Sequence, residues 1–258
     1  MVSEITSLKN PKVRAWKDML KDRSLRQKQG LFPVDGEHMV REALGAGCLE
    51  ELVVSSDRAE RYLSLTEACG RVFLVPPHVF ASLSDTVTPQ GIMGFCSFPE
   101  SWPPPVHPGM WVALNAVQDP GNVGTIIRTM DAAGLDTLLI DGRTADPFSP
   151  KCVRATMGGI FRVRIQRTES LSDPLAQLKS RGFCLAAGVL DGTELPSRAE
   201  VRGNLCVMIG NEGQGLEKEL SDMADLRVRI PMPGRAESLN ASVSAALLIY
   251  DFLRERLK

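Results

Sequence analysis

Three short stretches carry the side chains able to do chemistry. The first is Asp119-Pro120-Gly121-Asn122-Val123-Gly124-Thr125-Ile126-Ile127-Arg128. Its two glycines let a backbone approach a ligand, Asn122 suits a helix cap, and Arg128 falls about one and a half turns into the helix that follows. The second, Gly210-Asn211-Glu212-Gly213-Gln214-Gly215-Leu216, has the order GxxGxG, unlike the GxGxxG of dinucleotide folds, and no GxxxxGK[ST] of a nucleoside triphosphatase occurs. The third runs Ile230-Pro231-Met232-Pro233-Gly234-Arg235-Ala236-Glu237-Ser238-Leu239-Asn240-Ala241-Ser242. Ser238, Asn240 and Ser242 crowd one helix start, where side-chain oxygens can cap orphan amides. Taken singly, each stretch has a plain structural reading: an arginine on an amphipathic helix, an ordinary turn, a well-capped terminal helix.

The elements around these stretches decide where they sit. Beyond Pro108 the pattern alternates: strands at 111–117, 137–141, 161–165, 183–188, 205–210 and 226–230, and helices at 123–133, 151–159, 173–180 and 237–256. Such alternation predicts a parallel α/β sheet, with ligands at the carboxyl ends of its strands, where all three stretches lie. Before it, helical spacing at 36–46 and 57–69 and strands at 51–55, 72–75 and 92–98 predict a smaller α/β unit. Between the two, residues 99–108 hold five prolines, a density that neither a helix nor a central strand tolerates, so this is read as a stiff linker.

Residues 9–28 carry eight basic side chains against Asp18 and Asp22. Val13, Trp16 and Leu20 fall at helical spacing, which predicts an amphipathic helix with a basic outer face. On a chain of 258 residues with net charge -1, this local excess points to phosphate-backbone contact, with Lys12, Lys17, Lys21, Arg23 and Arg26 as candidates. The six cysteines are scattered and form no CxxC pair, and the three histidines are equally dispersed, so neither a disulfide frame nor a metal site is expected. The N-terminus lacks the apolar core of a signal peptide and no run is long enough to span a membrane, so a cytoplasmic protein is expected.

In combination the stretches are specific. An NxGxxxR loop, a strand followed by GNEGxGL, and IPMxGxxESLNxS before a terminal helix resemble, in that order, the SpoU (TrmH) family of RNA ribose 2'-O-methyltransferases of the SPOUT class, from Trp111 to the C-terminus. Asp146-Pro147-Phe148-Ser149-Pro150-Lys151 through Gly158 resembles the middle segment of that family. The N-terminal half is similar to the L30e-like substrate-binding domain found there, with Gly36-Glu37 at its first main helix. Ala241 and Ser244 stand where valine and alanine are common.

The resemblance implies a division into a basic N-terminal helix (1–28), an L30e-like RNA substrate-binding domain (29–98), a proline-rich linker (99–108) and a SPOUT methyltransferase domain with a trefoil knot (109–258). It implies S-adenosylmethionine against the second and third loops, at Gly210, Asn211, Gly215, Ile230, Met232 and Leu239, with Gly188 at the edge of the adenosine pocket, and a homodimer with the site near the subunit interface. Arg128 matches the family's essential arginine. A guanidinium is a poor base, which favours Arg128 as an anchor for the RNA phosphate and ribose, although the family also admits it as the base. Asn122, Glu212, Ser238 and Asn240 complete the matching polar set, Glu212 orienting Arg128 or the loops. The expected reaction is 2'-O-methylation of structured RNA, with 23S ribosomal RNA favoured over tRNA. A non-catalytic ribosome-assembly protein and a nucleotide-dependent oxidoreductase are the readings from other classes.

Overall fold

The computed structural model describes residues 2–86, 88–102, 109–135, 137–194 and 203–254, so most of the proline-rich stretch lies outside the described residues. The chain forms two compact units, one of Met1–Ser101 with Asp146–Phe161, the other of Trp102–Ala145 with Arg162–Lys258. The division is therefore not a single cut. The segment that resembles the middle of a methyltransferase domain packs with the N-terminal residues.

In the first unit, β1 (Val2–Glu4), β2 (Leu31–Asp35), β3 (Leu49–Ser55), β4 (Val72–Val75) and β5 (Ile92–Ser97) form a mixed sheet in the order β1-β4-β3-β5-β2. Its helices are α1 (Pro11–Lys21), α2 (Arg23–Gln29), α3 (Glu37–Gly45), α4 (Leu63–Ala68), α5 (Pro77–Ala81) and α7 (Pro150–Thr156). The basic stretch is two helices instead of one. Asp22 is extended (φ -111°, ψ 117°) and its carboxylate accepts from the amides of Ser24 and Leu25, so it ends α1 and caps α2. Val13, Trp16 and Met19 are the fully buried face of α1, and Leu20 is only partly buried. The indole Nε1–H of Trp16 donates to the buried carboxylate of Glu51. The sequence reading missed β2 because of Pro33. As an edge strand it has no second neighbour that needs the missing amide. The helix expected at 57–69 breaks into two 3-10 turns before α4, with the Ser55 hydroxyl bonded to Asp57 and the Tyr62 hydroxyl donating to the carbonyl of Gln90.

In the second unit, β6 (Met110–Leu114), β7 (Thr137–Ile140), β8 (Arg164–Arg167), β9 (Cys184–Glu194), β10 (Leu205–Ile209) and β11 (Leu226–Arg229) form a sheet ordered β11-β9-β10-β6-β7-β8, parallel at every pairing. Helices α6 (Pro120–Ala132), α8 (Ser172–Ser180), α9 (Lys218–Asp222) and α10 (Ala241–Arg254) accompany it. Leu171, Leu175, Leu178 and Leu220 pack with Ala113, Leu185, Cys206 and Met208 of the sheet, while α10 lies on α6, β9 and β10. β8 begins three residues later than expected because Met157 turns left-handed (φ 50°) and Gly159–Phe161 makes a 3-10 turn. The last helix starts at Ala241 instead of Glu237. No helix of the described residues is long and apolar enough to cross a membrane.

Candidate functional site

The strand order places the ends of β9, β10, β11 and β6 side by side, and the polar stretches leave from three of them. The second and third stretches line an open cavity of about 870 Å³ in the second unit, and the first lies outside its lining. Gly188, Gly210, Asn211, Gly215, Ile230, Met232 and Leu239 all line it, as do Glu212 and Ser238. The walls contributed by Ile209, Leu239 and Leu248 are apolar, and a glycine at 188 is fixed by packing, since a Cβ there would lie 2.8 Å from Leu248 Cδ1.

Around this cavity a directed chain of hydrogen bonds ties the three loops together. The Asp119 carboxylate caps α6 through the amides of Gly121 and Asn122. Asn122 Nδ2 then donates to Glu212 Oε1 at 2.9 Å, and the same carboxylate accepts from the amides of Gln118 and Asp119. Asn122 Oδ1 in turn accepts from Asn240 Nδ2 at 2.9 Å. Asn240 Oδ1 accepts from the amide and hydroxyl of Ser242 and the amide of Val243, which makes it the N-cap of α10. Each amide group has its donor and acceptor ends engaged in one orientation only. Burial works to raise the Glu212 carboxyl, yet the donors from Asn122, Gln118 and Asp119 hold it below the usual carboxylate range.

A second hub reaches the cavity wall through Asn115, Ala116, Arg143 and Glu217, and the sequence reading did not find it. Asp141, buried at the end of β7, accepts from the amide of Ala116, the amide and hydroxyl of Thr144, and Asn115 Nδ2. Ala116 is held in the left-handed region (φ 55°) and its carbonyl accepts from Asn211 Nδ2. Asn115 Oδ1 accepts from the amide of Glu217, and Arg143 Nη2 pairs with Glu217 Oε1 at 2.6 Å and Asp141 Oδ2 at 3.3 Å. The only sequence signal for this hub is the placement of Asn115 and Asp141 directly after apolar strands.

Arg128 stands apart. It lies exposed on α6, outside the cavity lining, with no partner among the described residues; Glu212 braces the loops and makes no contact with it. Ser238 is exposed at the cavity. Of the five basic candidates, one is corrected as a phosphate contact. Arg26 is 3% exposed, bonded to the carbonyl of Met19 and paired with Asp146. Lys12 is paired with Glu51 and sits against the rings of Trp16 and Phe73. Lys17, Lys21 and Arg23 reach solvent with no ion pair among the described residues.

Residues 109–250 match the model of the SpoU rRNA methylase family, and residues 10–94 match that of the MRM3-like substrate binding domain. The 23S rRNA (guanosine(2553)-2'-O)-methyltransferase RlmP of Bacillus subtilis is 34% identical over 250 residues, covering 96% of this chain and 98% of that protein. An AdoMet-bound rRNA methyltransferase from Sinorhizobium meliloti superposes with a TM-score of 0.84 at 32% identity, over 100% of this chain and 99% of that one. The SpoU methyltransferase AviRb from Streptomyces viridochromogenes, in complex with AdoMet, gives 0.82 at 26% identity, over 97% and 99%.

Proposed function

Since the chain belongs to the SpoU rRNA methylase family, we propose that its cavity holds S-adenosylmethionine and that it methylates a ribose 2'-hydroxyl of ribosomal RNA, 23S RNA being favoured. It is an RNA 2'-O-methyltransferase with S-adenosylmethionine as its cofactor. The observation that carries the site assignment is the cavity itself: all seven residues assigned to the cofactor line one space of about 870 Å³. Its donor set fits the group, with apolar walls for a purine and loop backbone for its polar edge.

S-adenosylmethionine supplies an electrophilic methyl group on a sulfonium. The residues of this chain do the rest. Gly210, Asn211, Gly215, Ile230, Met232 and Leu239 form the cofactor seat, and Gly188 its inner edge. Arg128, exposed and without a partner among the described residues, binds the RNA phosphate and ribose and stabilises the negative charge that develops on the 2'-oxygen. A guanidinium offers only donors and no acceptor, so it is poorly suited to take up the proton of the 2'-hydroxyl. Ser238 offers a hydroxyl at the cavity mouth, and the Glu212–Asn122–Asn240 chain keeps the loops in one arrangement, so that positioning supplies much of the rate.

The active form is read as a homodimer. Val243, Leu247 and Tyr250, at helical spacing along α10, are 46%, 47% and 46% exposed, an apolar stripe that a second copy would cover. A partner bringing its own Arg128 would complete a site whose cavity lacks that side chain. The trefoil knot belongs to the same expectation. RNA selection is assigned to the first unit, with Lys17, Lys21 and Arg23 as the phosphate contacts.

The test is titration calorimetry with S-adenosylmethionine, then tritiated-methyl transfer onto total RNA from a strain lacking the gene. The expected result is label in ribosomal RNA, absent with Arg128→Ala. Label confined to tRNA would replace the substrate, and no cofactor binding would remove the assignment.

A further inference from the structure

The cofactor seat described above is neutral or acidic except at three places, and the cofactor carries one anionic group, the α-carboxylate of its methionyl end. Resting on the proposed S-adenosylmethionine site, we propose that Arg143 is the residue that binds this carboxylate and so makes the site specific for a cofactor with an intact amino-acid end. The cations lining the cavity are Arg143, Lys218 and Arg227. Arg227 presents one nitrogen to both oxygens of Asp191 at 2.7 Å, and Lys218, 88% exposed, is paired along its own helix with Asp222. Arg143 differs from both. One terminal nitrogen is fixed between Asp141 and Glu217, while Nη1 and Nε have no partner among the described residues.

The fixing is what makes the group useful. Asp141 is anchored by four donors from Ala116, Thr144 and Asn115, so the guanidinium is held from the rigid end of β7, and its side chain loses less freedom when a carboxylate arrives. A fork of remaining N–H donors suits a planar carboxylate. The two acidic partners also keep the local charge from becoming positive, which matters beside a sulfonium cofactor.

The experiment is titration calorimetry on the full chain with three ligands: S-adenosylmethionine, its decarboxylated analogue, which retains sulfonium and amine, and 5'-methylthioadenosine, which lacks the whole amino-acid end. Wild type should prefer the carboxylated cofactor by about ten-fold, the lower end for a charge-assisted bond at a half-exposed side chain. Arg143→Gln should lose that preference while binding both truncated ligands as wild type does, and Arg143→Lys should recover part of it. A purely structural clamp would instead lower affinity for all three ligands equally, and a contact to RNA would leave all three unchanged; either result overturns the proposal. If wild type binds none of the three, the cofactor assignment itself fails, a distinct outcome.

Discussion

Asn240 has two separable tasks, and one substitution can part them. Its Oδ1 caps α10 through Ser242 and Val243, and its Nδ2 donates to Asn122. Asn240→Ala removes both. Loss of a cap costs about 1 kcal/mol and loss of a neutral hydrogen bond at an exposed position costs about 1 kcal/mol more, so the variant should be less stable by about 2 kcal/mol. Asn240→Asp keeps the cap, since Asn and Asp cap equally well, and adds a favourable charge at the helix N-terminus worth about 0.5 kcal/mol. It loses only the bond to Asn122, so its stability should stay within about 1 kcal/mol of wild type. The cost moves to the loops. The introduced carboxylate and that of Glu212 would then compete for the one NH2 group of Asn122, and whichever wins leaves the other facing an amide oxygen. Urea denaturation should therefore separate the two variants, whereas methyl transfer onto ribosomal RNA should fall by at least about ten-fold in both. Equal destabilisation of both variants would refute the capping argument. Full transfer activity in Asn240→Asp would refute the view that the Asn122–Asn240 link holds the loops for catalysis.

Three further outcomes are expected. Arg128→Ala should abolish methyl transfer by about 100-fold or more, the scale of a lost oxyanion donor, with an unchanged denaturation midpoint, because the exposed side chain has no partner to lose among the described residues. Gln at Lys17, Lys21 and Arg23 together should lower the slope of log affinity against log salt for RNA by about 2 to 3, whereas Arg26→Ala should leave that slope alone and cost about 3 kcal/mol of stability by leaving Asp146 unpaired. Acid titration should expose Asp141: burial raises its carboxyl, but the donors from Thr144, Ala116 and Asn115 outweigh it and hold the folded-state value below the ordinary one. A depressed carboxyl stabilises fully above its unfolded value near pH 4 and loses that contribution as pH falls through the folded one. Asp141→Asn should accordingly be less stable at neutral pH and show a flatter loss of stability below about pH 4.

The legible part of the molecule was the part written in short-range pattern. Apolar runs such as Leu205–Ile209 and Thr137–Ile140 are buried on both faces of a parallel sheet, so their ends, and the loops at those ends, could be located from hydrophobicity alone. The polar motifs named Asn122, Glu212 and Asn240, but their linkage spans 90 and 118 residues and no local pattern encodes it. The same limit hid Asn115 and Asp141, whose signal is one polar residue directly after each strand, and Arg143, which lacks even that. Local reading failed where a single residue changed its meaning with context. Asp22 looked like an acid on a basic helix and is the break between two; Arg26 looked like a phosphate ligand and is a buried partner of Asp146, 120 residues away.

Gly210 shows how the sequence named a residue correctly while its physical role differs from the one glycine usually suggests. A glycine in a polar loop invites the reading that a ligand needs room. Here the room is taken by the chain itself: a Cβ at 210 would lie 2.1 Å from the Gly215 carbonyl carbon and 2.1 Å from the Leu216 nitrogen. Both are backbone atoms of a loop closed by reciprocal bonds of 2.9 Å between Asn211 and Gly215, and cross-braced where the Asn211 side chain takes the amides of Gly213 and Gln214 and donates to Ala116. None of these atoms can rotate aside, so Gly210→Ala must open the loop and, with it, the wall of the cavity. Gly213 is the internal control, because its added Cβ would meet nothing nearer than Asn211 Oδ1 at 3.6 Å, ordinary contact. Calorimetry should find S-adenosylmethionine affinity reduced more than about ten-fold in Gly210→Ala, over about 1.4 kcal/mol, and near wild type in Gly213→Ala. Equal affinities in the two variants would mean that the loop tolerates opening and that the cofactor seat does not depend on its closure.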